Sequence, residues 1–440
     1  MVVALTIAGS DSIGGAGIQA DVKAMASVGV HAATVVTAIT TQNTRKVAAI
    51  LPVPVEHVAS QLDSVLSDAD IRAVKTGMLY APETVAIVVS KLKRRKTRLV
   101  VDPVMVAGVG DALASIGLID SIKRDLLPLA TMVTPNKDEA EALSGIKIRS
   151  TKDAERACVA IADLGAKMVL LKGGHLNNPD AIDILYDGKE YVELRAPRIS
   201  VKLHGSGCTL SAYIAAYLAL GLEPREAAVQ AKERITDAIE SHYQVGKGLD
   251  VVEPMATSSR EMYRYSVMAR LKEATETLEC FLPPEWVPEV GANFAYALPH
   301  ARYSEDVCAL EGRLVALRGR VVHPGCYSFG ASRHVARIVL EAMRHDPEKR
   351  SAINIRFSDG HLRSAKASGL ATASFDRKDE PRNVKTMEWG TRSAIESLGC
   401  VPDVIFDRGG VGKEPMIRIL GNDPQDVVKK LKGAIRQEVA

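Results

Sequence analysis

From the amino terminus to about residue 245, short β-branched and aliphatic runs alternate with longer stretches of helical apolar period. Strands are predicted at Val2–Ala8, Ala33–Ile39, Ile71–Val74, Arg98–Val101, Thr131–Thr134, Met168–Leu171 and Ala181–Leu185. Helices are predicted between most of them, among them Val55–Ser67, Pro82–Lys93, Lys152–Leu164 and Pro224–His242. Such alternation predicts an α/β domain, a mostly parallel sheet with helices on both faces. Ligands of these sheets gather at the carboxyl ends of the strands. Glycine-rich or polar segments stand at those places: GSDSIGGAG, TTQNT, KTGM, DPVM, TPNKDE and KGGH.

The rhythm changes after His242. The segment QVGKGLDVVEPMATSSRE has no strong period and carries Gly, Pro and Ser, which marks a domain boundary. We divide the chain into a first domain over 1–250, a linker over 251–261 and a second, smaller α/β or α+β domain over 262–440. In the latter a helix is predicted at Met262–Leu278, ahead of the proline-marked FLPPEWVPEVG. Strands are expected at Leu314–Val322, Ile353–Phe357, Val404–Phe406 and Met416–Leu420, and helices at Ser332–Arg344, Met387–Leu398 and Pro424–Gln437.

Composition narrows the function classes only a little. A chain of 440 residues is too long for one ordinary core. Residues 1–255 carry 28 Lys+Arg against 29 Asp+Glu, and residues 256–440 carry 28 against 24. The second half is therefore mildly basic, which suits a small anionic ligand and is too weak to argue for nucleic acid. The six cysteines, 158, 208, 280, 308, 326 and 400, form no CxxC pair, which argues against structural zinc or a disulfide framework and fits a reducing cytoplasm. No apolar run is long enough to span a bilayer. The expected partners are small molecules, with no nucleic acid and no membrane; a homodimer is allowed.

The candidate chemistry centres on HGSGCT, residues 204–209. Gly205 and Gly207 permit a tight turn, and an apolar helix follows at once. The free N–H groups of such a turn, backed by the helix dipole, form an anion hole at Gly205, Ser206 and Gly207. The same field is expected to lower the pKa of Cys208. Phosphoryl transfer needs an anion hole, carboxylates for a metal, and cations placed around the phosphates. Asp102 follows one strand, Asn136 and Glu139 open a helix after another, and Lys172 ends a third. Each also has a plainer reading: Asp102 as a turn cap, Asn136 and Glu139 as a capping box, Lys172 as a solvated strand end.

AGSDSIGGAGIQAD (8–21), TAITTQNT (37–44), KTGML (75–79), VDPVM (101–105), TPNKDEAEAL (134–143), KGGH (172–175) and HGSGCT resemble, in order, the motifs of hydroxymethylpyrimidine and hydroxymethylpyrimidine-phosphate kinases. These are ribokinase-like enzymes of thiamine biosynthesis. The resemblance implies that Cys208 activates the substrate hydroxyl or sits beside it. It implies that Gly9, Asp21, Gln42, Met78 and Val104 bind the aminopyrimidine, with Asp21 and Gln42 hydrogen-bonding the ring. Asp102, Asn136, Glu139 and Lys172 would serve ATP, with Asp102 and Glu139 at the Mg2+. Two positions depart from the family pattern: Gly108 stands where lysine is common, and Leu203 where threonine usually precedes HGxGC. A pyridoxal-type kinase is the neighbouring alternative.

In the second domain, Ser332, Arg333 and His334 open an amphipathic helix, which places cations where N–H groups already attract an anion. Asp407, Arg408, Gly409, Gly410, Val411, Gly412, Lys413 and Glu414 form a glycine-rich turn after a strand. It fails the Walker A pattern, which requires Gly at 407 and Ser or Thr at 414. The open readings are a phosphate nest and a solvated hairpin. FGASRHVAR and DRGGxGKEPMIR resemble the archaeal-type thiamine-phosphate synthase domain. That resemblance implies coupling of pyrimidine diphosphate to thiazole phosphate, with Arg313 and His334 as catalytic candidates. Arg333, Arg408, Gly409, Gly410 and Lys413 would bind the anions, and Asp407 and Glu414 would hold metal or substrate amino groups. The same domain type also serves as a non-catalytic thiamine-phosphate sensor behind a DNA-binding helix-turn-helix, and no basic recognition helix is evident here.

Overall fold

The computed structural model describes residues 1–106, 115–173, 180–199, 201–381, 384–410 and 412–439. Gly108, Gly174, His175 and Val411 lie outside the described residues. The chain divides into two units, Met1–Ser258 and Ser259–Ala440.

In the first unit β1 (Val3–Asp11), β2 (His31–Gln42), β3 (Val47–Pro52), β4 (Ile71–Thr76), β5 (Arg98–Val101), β6 (Met132–Val133), β7 (Val169–Leu171), β8 (Asp180–Tyr186) and β9 (Tyr191–Pro197) form one sheet. Its order is β3-β2-β1-β4-β5-β6-β7-β8-β9. The pairings from β2 through β1 and on to β7 are parallel. The outer pairs β2–β3, β7–β8 and β8–β9 are antiparallel. The central strands are buried on both faces, which is why they read as continuous aliphatic runs. The edge strands β3 and β9 escaped prediction because most of their residues keep some exposure and their apolar signal is diluted.

The helix Ser206–Ala219 is buried along every face from Thr209 to Ala219. It packs with Ala4, Ala73 and Val100 of the central strands, so an all-round apolar sequence is what its position demands. Its amino terminus therefore points at the carboxyl ends of those strands, where the polar segments collect.

The segment expected as a linker, 251–261, carries secondary structure instead. Asp250–Val251 pairs in parallel with Leu203–His204, and the helix Ala256–Phe281 starts well before the expected Met262. The apolar face of that helix, Val267, Leu271, Ala274 and Leu278, enters the core of the second unit, and this burial fixes helical structure where composition alone suggested a loop.

The second unit holds a seven-stranded sheet in the order Tyr327–Phe329, Val307–Leu310, Phe294–Ala297, Ser351–Arg356, Met416–Gly421, Val404–Asp407, Thr372–Ser374. Only the last pair is parallel. The expected strand Leu314–Val322 is a hairpin, Val315–Leu317 with Arg320–Val322. Arg318 and Gly319 at its tip both take positive φ, 49° and 78°, the geometry that a tight two-residue hairpin loop requires. Among the described residues no helix is long and apolar enough to cross a membrane.

Candidate active sites

A cleft of about 790 Å³ opens at the carboxyl ends of the first sheet. Its walls include Gly9, Gln42, Met78, Val104, Asp102, Asn136, Glu139, Lys172, Gly205, Ser206, Gly207 and Cys208. Residues from seven separate motifs thus meet in one space. Gly205 caps the helix with φ 89°, and a Cβ there would lie 1.7 Å from the Gly15 carbonyl oxygen. Only glycine lets the two turns meet. A Cβ at Gly207 would lie 3.1 Å from Lys172 Nζ, so the lysine ammonium stands at the helix amino terminus.

Lys172 Nζ donates to Asp102 Oδ1 at 2.9 Å and lies 3.8 Å from Glu139 Oε2. Asp102 also accepts from Thr134 and Ser211, both at 3.2 Å. Burial raises the Asp102 carboxyl, but Lys172 and Lys75 outweigh it and hold the group below its ordinary value. Glu139 goes the other way: burial and the charge of Asp102 push it up to about 7, against Lys172. Asn136 and Glu139 form the reciprocal capping box that the sequence left open, Glu139 N–H to Asn136 Oδ1 at 2.9 Å and Asn136 N–H to Glu139 Oε2 at 2.7 Å. Both also line the cleft, so capping fixes their direction rather than replacing their function.

Two expectations are corrected. Asp21 does not line the cleft; its carboxylate is fully buried, ion-paired with Lys75 at 2.8 Å and hydrogen-bonded by Thr6 at 2.6 Å. The Cys208 thiol is not depressed: burial pushes it up to about 11, with Lys75 pulling down and Asp102 and Asp21 pushing further up. Desolvation disfavours the thiolate more than nearby positive charge favours it, and the two carboxylates add to the upward push.

The sequence reading missed His204 and Asp11. Asp11 accepts from the N–H groups of Gly15 and Ala16 at 3.0 and 2.8 Å and from His204 Nε2 at 2.8 Å. His204 Nε2 also lies 3.0 Å from the Gln42 amide. This chain of contacts ties the glycine turn after β1 to the acceptor wall. Lys75 was also missed, although KTGML opens with it. Asp183 is a further addition: it accepts from Gly173 N–H at 2.8 Å and Lys232 Nζ at 2.9 Å, pinning the turn that carries Lys172.

In the second unit the glycine-rich turn is a hairpin between Val404–Asp407 and Met416–Gly421, closed by a Gly410–Lys413 bridge. The expected role of Asp407 at metal or substrate meets a carboxylate already committed within the protein. Its buried carboxylate takes Arg377 at 2.6 and 3.2 Å, Arg418 at 2.7 Å and the Gly409 N–H at 2.8 Å. Glu414 accepts the Glu289 N–H at 3.1 Å through Oε1. Arg408 is exposed, 3.4 Å from Asp359 and over the Phe357 ring. Ser332 caps the helix Arg333–His345, which places Arg333 and His334 in its first turn. Burial and the charges of Arg337, Arg313, Arg418 and Arg377 together lower the His334 pKa, so Arg313 and His334 share one cationic neighbourhood. Arg337 and Arg418 lie inside the segments that carry the resemblance; Arg377, in the single 3-10 turn Arg377–Asp379, gave no signal.

The model of the phosphomethylpyrimidine kinase family matches residues 11–253, and that of thiamine-phosphate synthase matches residues 270–433. A bifunctional thiamine biosynthesis protein of Methanocaldococcus jannaschii is 33% identical over 432 residues, 98% of this chain and 97% of its own. The chain belongs to this family of fused kinases and synthases. The kinase–synthase is accordingly an enzyme of thiamine biosynthesis, a phosphotransferase in its first unit and a thiamine-phosphate synthase in its second. A hydroxymethylpyrimidine/phosphomethylpyrimidine kinase of Rhizobium meliloti is 48% identical over 250 residues, 56% of the kinase–synthase and 94% of its own chain. An ADP complex of Bacillus subtilis pyridoxal kinase matches the ribokinase-like fold with a TM-score of 0.55 at 35% identity, over 59% of this chain and 99% of that one. Staphylococcus aureus pyridoxal kinase, solved with AMP-PCP and pyridoxal, gives a TM-score of 0.55 at 34% identity, over 59% and 95%.

Proposed function

We propose that the first unit uses ATP with Mg2+ to phosphorylate hydroxymethylpyrimidine and then its monophosphate, and that the second couples the diphosphate to thiazole phosphate with release of pyrophosphate. One observation carries the kinase reading: Lys172, Asp102, Glu139 and the free N–H groups of Ser206–Cys208 border the same cleft as Gly9, Gln42, Met78 and Val104. The phosphates of ATP would meet Lys172 and the anion hole, and the aminopyrimidine would lie against Met78 and Val104 with Gln42 on its edge. Mg2+ takes few protein ligands and completes its shell with phosphate and water. The donor set fits: Glu139 commits Oε2 to its own cap and keeps Oε1 for a cation, while Asp102 sits across Lys172 from it. Bound there, the ion would offset charge on the phosphates.

A thiol held near 11 is a poor base at neutral pH, so Cys208 acts on the alcohol as a neutral hydrogen-bonding neighbour, and the anion hole carries both steps. In the second unit a departing pyrophosphate needs cations. Arg313, Arg333 and Lys413 are the cations we assign to it, with His334 as a hydrogen-bonding or proton-transferring neighbour, while Asp407 holds Arg377 and Arg418 rigid. The aminopyrimidine stabilises the developing cation by itself. The cytoplasm is the compartment we assign, in keeping with six free cysteines.

The test is the full coupled assay on the intact chain: ADP release with the pyrimidine alcohol and with its monophosphate, then pyrophosphate release on adding thiazole phosphate. ADP release with pyridoxal alone would overturn the kinase half. Thiamine phosphate bound without turnover would overturn the synthase half.

A further inference from the structure

Lys75 is fully buried, yet it forms part of the cleft wall. An ammonium has three donors. Two of its contacts go to the Asp21 carboxylate, at 3.0 and 2.8 Å. Among the described residues no third acceptor is bonded to it. Asp21 lies behind it, out of the cleft, with Thr6 on one oxygen. The pair therefore has an orientation, cation towards the cleft and anion away from it.

Gly77 supplies an independent observation. Its φ is outside the left-handed region, so its backbone accommodates any residue. What excludes a side chain is space: a Cβ would lie 2.8 Å from Lys75 Nζ and 3.1 Å from Ala8 Cβ. Ala8, Gly9 and Met78 are cleft wall on the acceptor side. A side chain at 77 would therefore crowd the ammonium where it borders the cleft. Cys208 lies within electrostatic reach of the ammonium.

We infer that Lys75 is the cation that receives the acceptor oxygen, above all the phosphate oxygen of the second step, and that Asp21 is the positioning residue behind it. This rests on the kinase reading above. A phosphate acceptor is an anion that must approach the anionic end of ATP, and Lys172 is the cation we have assigned to the ATP phosphates. In the second step an acceptor phosphate oxygen forms the new O–P bond, the bond to the ADP oxygen breaks, and a dianionic acceptor has no proton to lose. In the first step the acceptor is a neutral alcohol and needs the cation less.

The experiment compares ADP release from the two acceptors in the full chain. Lys75→Met alone strands the Asp21 carboxylate, so the pair variant Lys75→Met/Asp21→Asn removes both charges together, and Gly77→Ala crowds the ammonium while leaving both in place. In the pair variant we expect kcat/KM to fall about 100-fold for the monophosphate and less than about tenfold for the alcohol. Gly77→Ala, which forces the ammonium to shift, should change the ratio in the same direction, with a cooperative thermal transition showing that the kinase unit still folds. Equal losses for the two acceptors in a folded pair variant, or an unchanged ratio in Gly77→Ala, would overturn the inference. A wild-type chain that phosphorylated neither acceptor would remove the kinase reading first and this inference with it.

Discussion

Lys172 Nζ lies 2.9 Å from Asp102 Oδ1 across 70 residues of sequence, at the amino terminus of the helix that begins at Ser206. The ion pair places one cation beside the helix N–H groups, where we propose the transferred phosphate binds. Lys172→Met should therefore lower kcat for both kinase acceptors by at least about 100-fold, with a smaller change in KM for the pyrimidines. Steady-state ADP release checks it, and pyrophosphate release by the synthase unit should not change.

Glu139, pushed up to about 7 by burial first and Asp102 second, binds a proton more tightly folded than unfolded. Its contribution to stability is complete below the ordinary carboxylate range and is lost as pH rises through 7. Thermal unfolding between pH 5 and 8 should show that decline, and Glu139→Gln should flatten it. An unchanged slope in the variant would assign the decline to other groups.

The Cys208 thiol, held up to about 11 chiefly by burial, should react slowly with iodoacetamide at pH 7.5 and faster only as pH approaches 10. Cys208→Ala should slow phosphorylation of the alcohol by about tenfold and leave the monophosphate step within about threefold of wild type. Equal slowing of the two steps would place the thiol in a shared role.

Gly205→Ala forces a Cβ to 1.7 Å from the Gly15 carbonyl at φ 89°. Strain of about 1–3 kcal/mol from the backbone alone, with the clash added, should lower the melting temperature of the kinase unit and abolish its activity. Differential scanning calorimetry and ADP release together report it.

Asp407→Asn leaves Arg377 and Arg418 without their carboxylate, inside the protein. Breaking a buried pair on one side costs about 3–5 kcal/mol. Synthase activity should be lost and the second unit destabilised, whereas His334→Ala should lower synthase activity without abolishing it, at unchanged melting temperature. Because burial and four arginines lower the His334 pKa, the ring is neutral at pH 7 and charges only below its ordinary range. A synthase rate limited by that protonation should break on the acid side of neutrality, and His334→Ala should remove the break.

HGSGCT, the strand-end carboxylates and the Lys172 turn were legible in the sequence because a parallel sheet delivers the carboxyl ends of its strands to one edge. Alternation of short and long apolar periods was enough to predict that sheet and most helices of both units. The edge strands, the Arg318–Gly319 hairpin and the helix starting at Ala256 were not legible: exposure dilutes one pattern, and tertiary burial creates the other.

What the sequence determined by itself was which chemical groups reach the cleft region and in what order along the chain. Only the tertiary structure decided which of them pair. Asp21 and Lys75 are 54 residues apart, Arg377 and Asp407 are 30 apart, and no spacing rule links either pair. Protonation was decided there too. A helix terminus favours thiolate and a neighbouring lysine favours carboxylate, but the balance depends on how much water each group loses, and burial is a property of the packed fold.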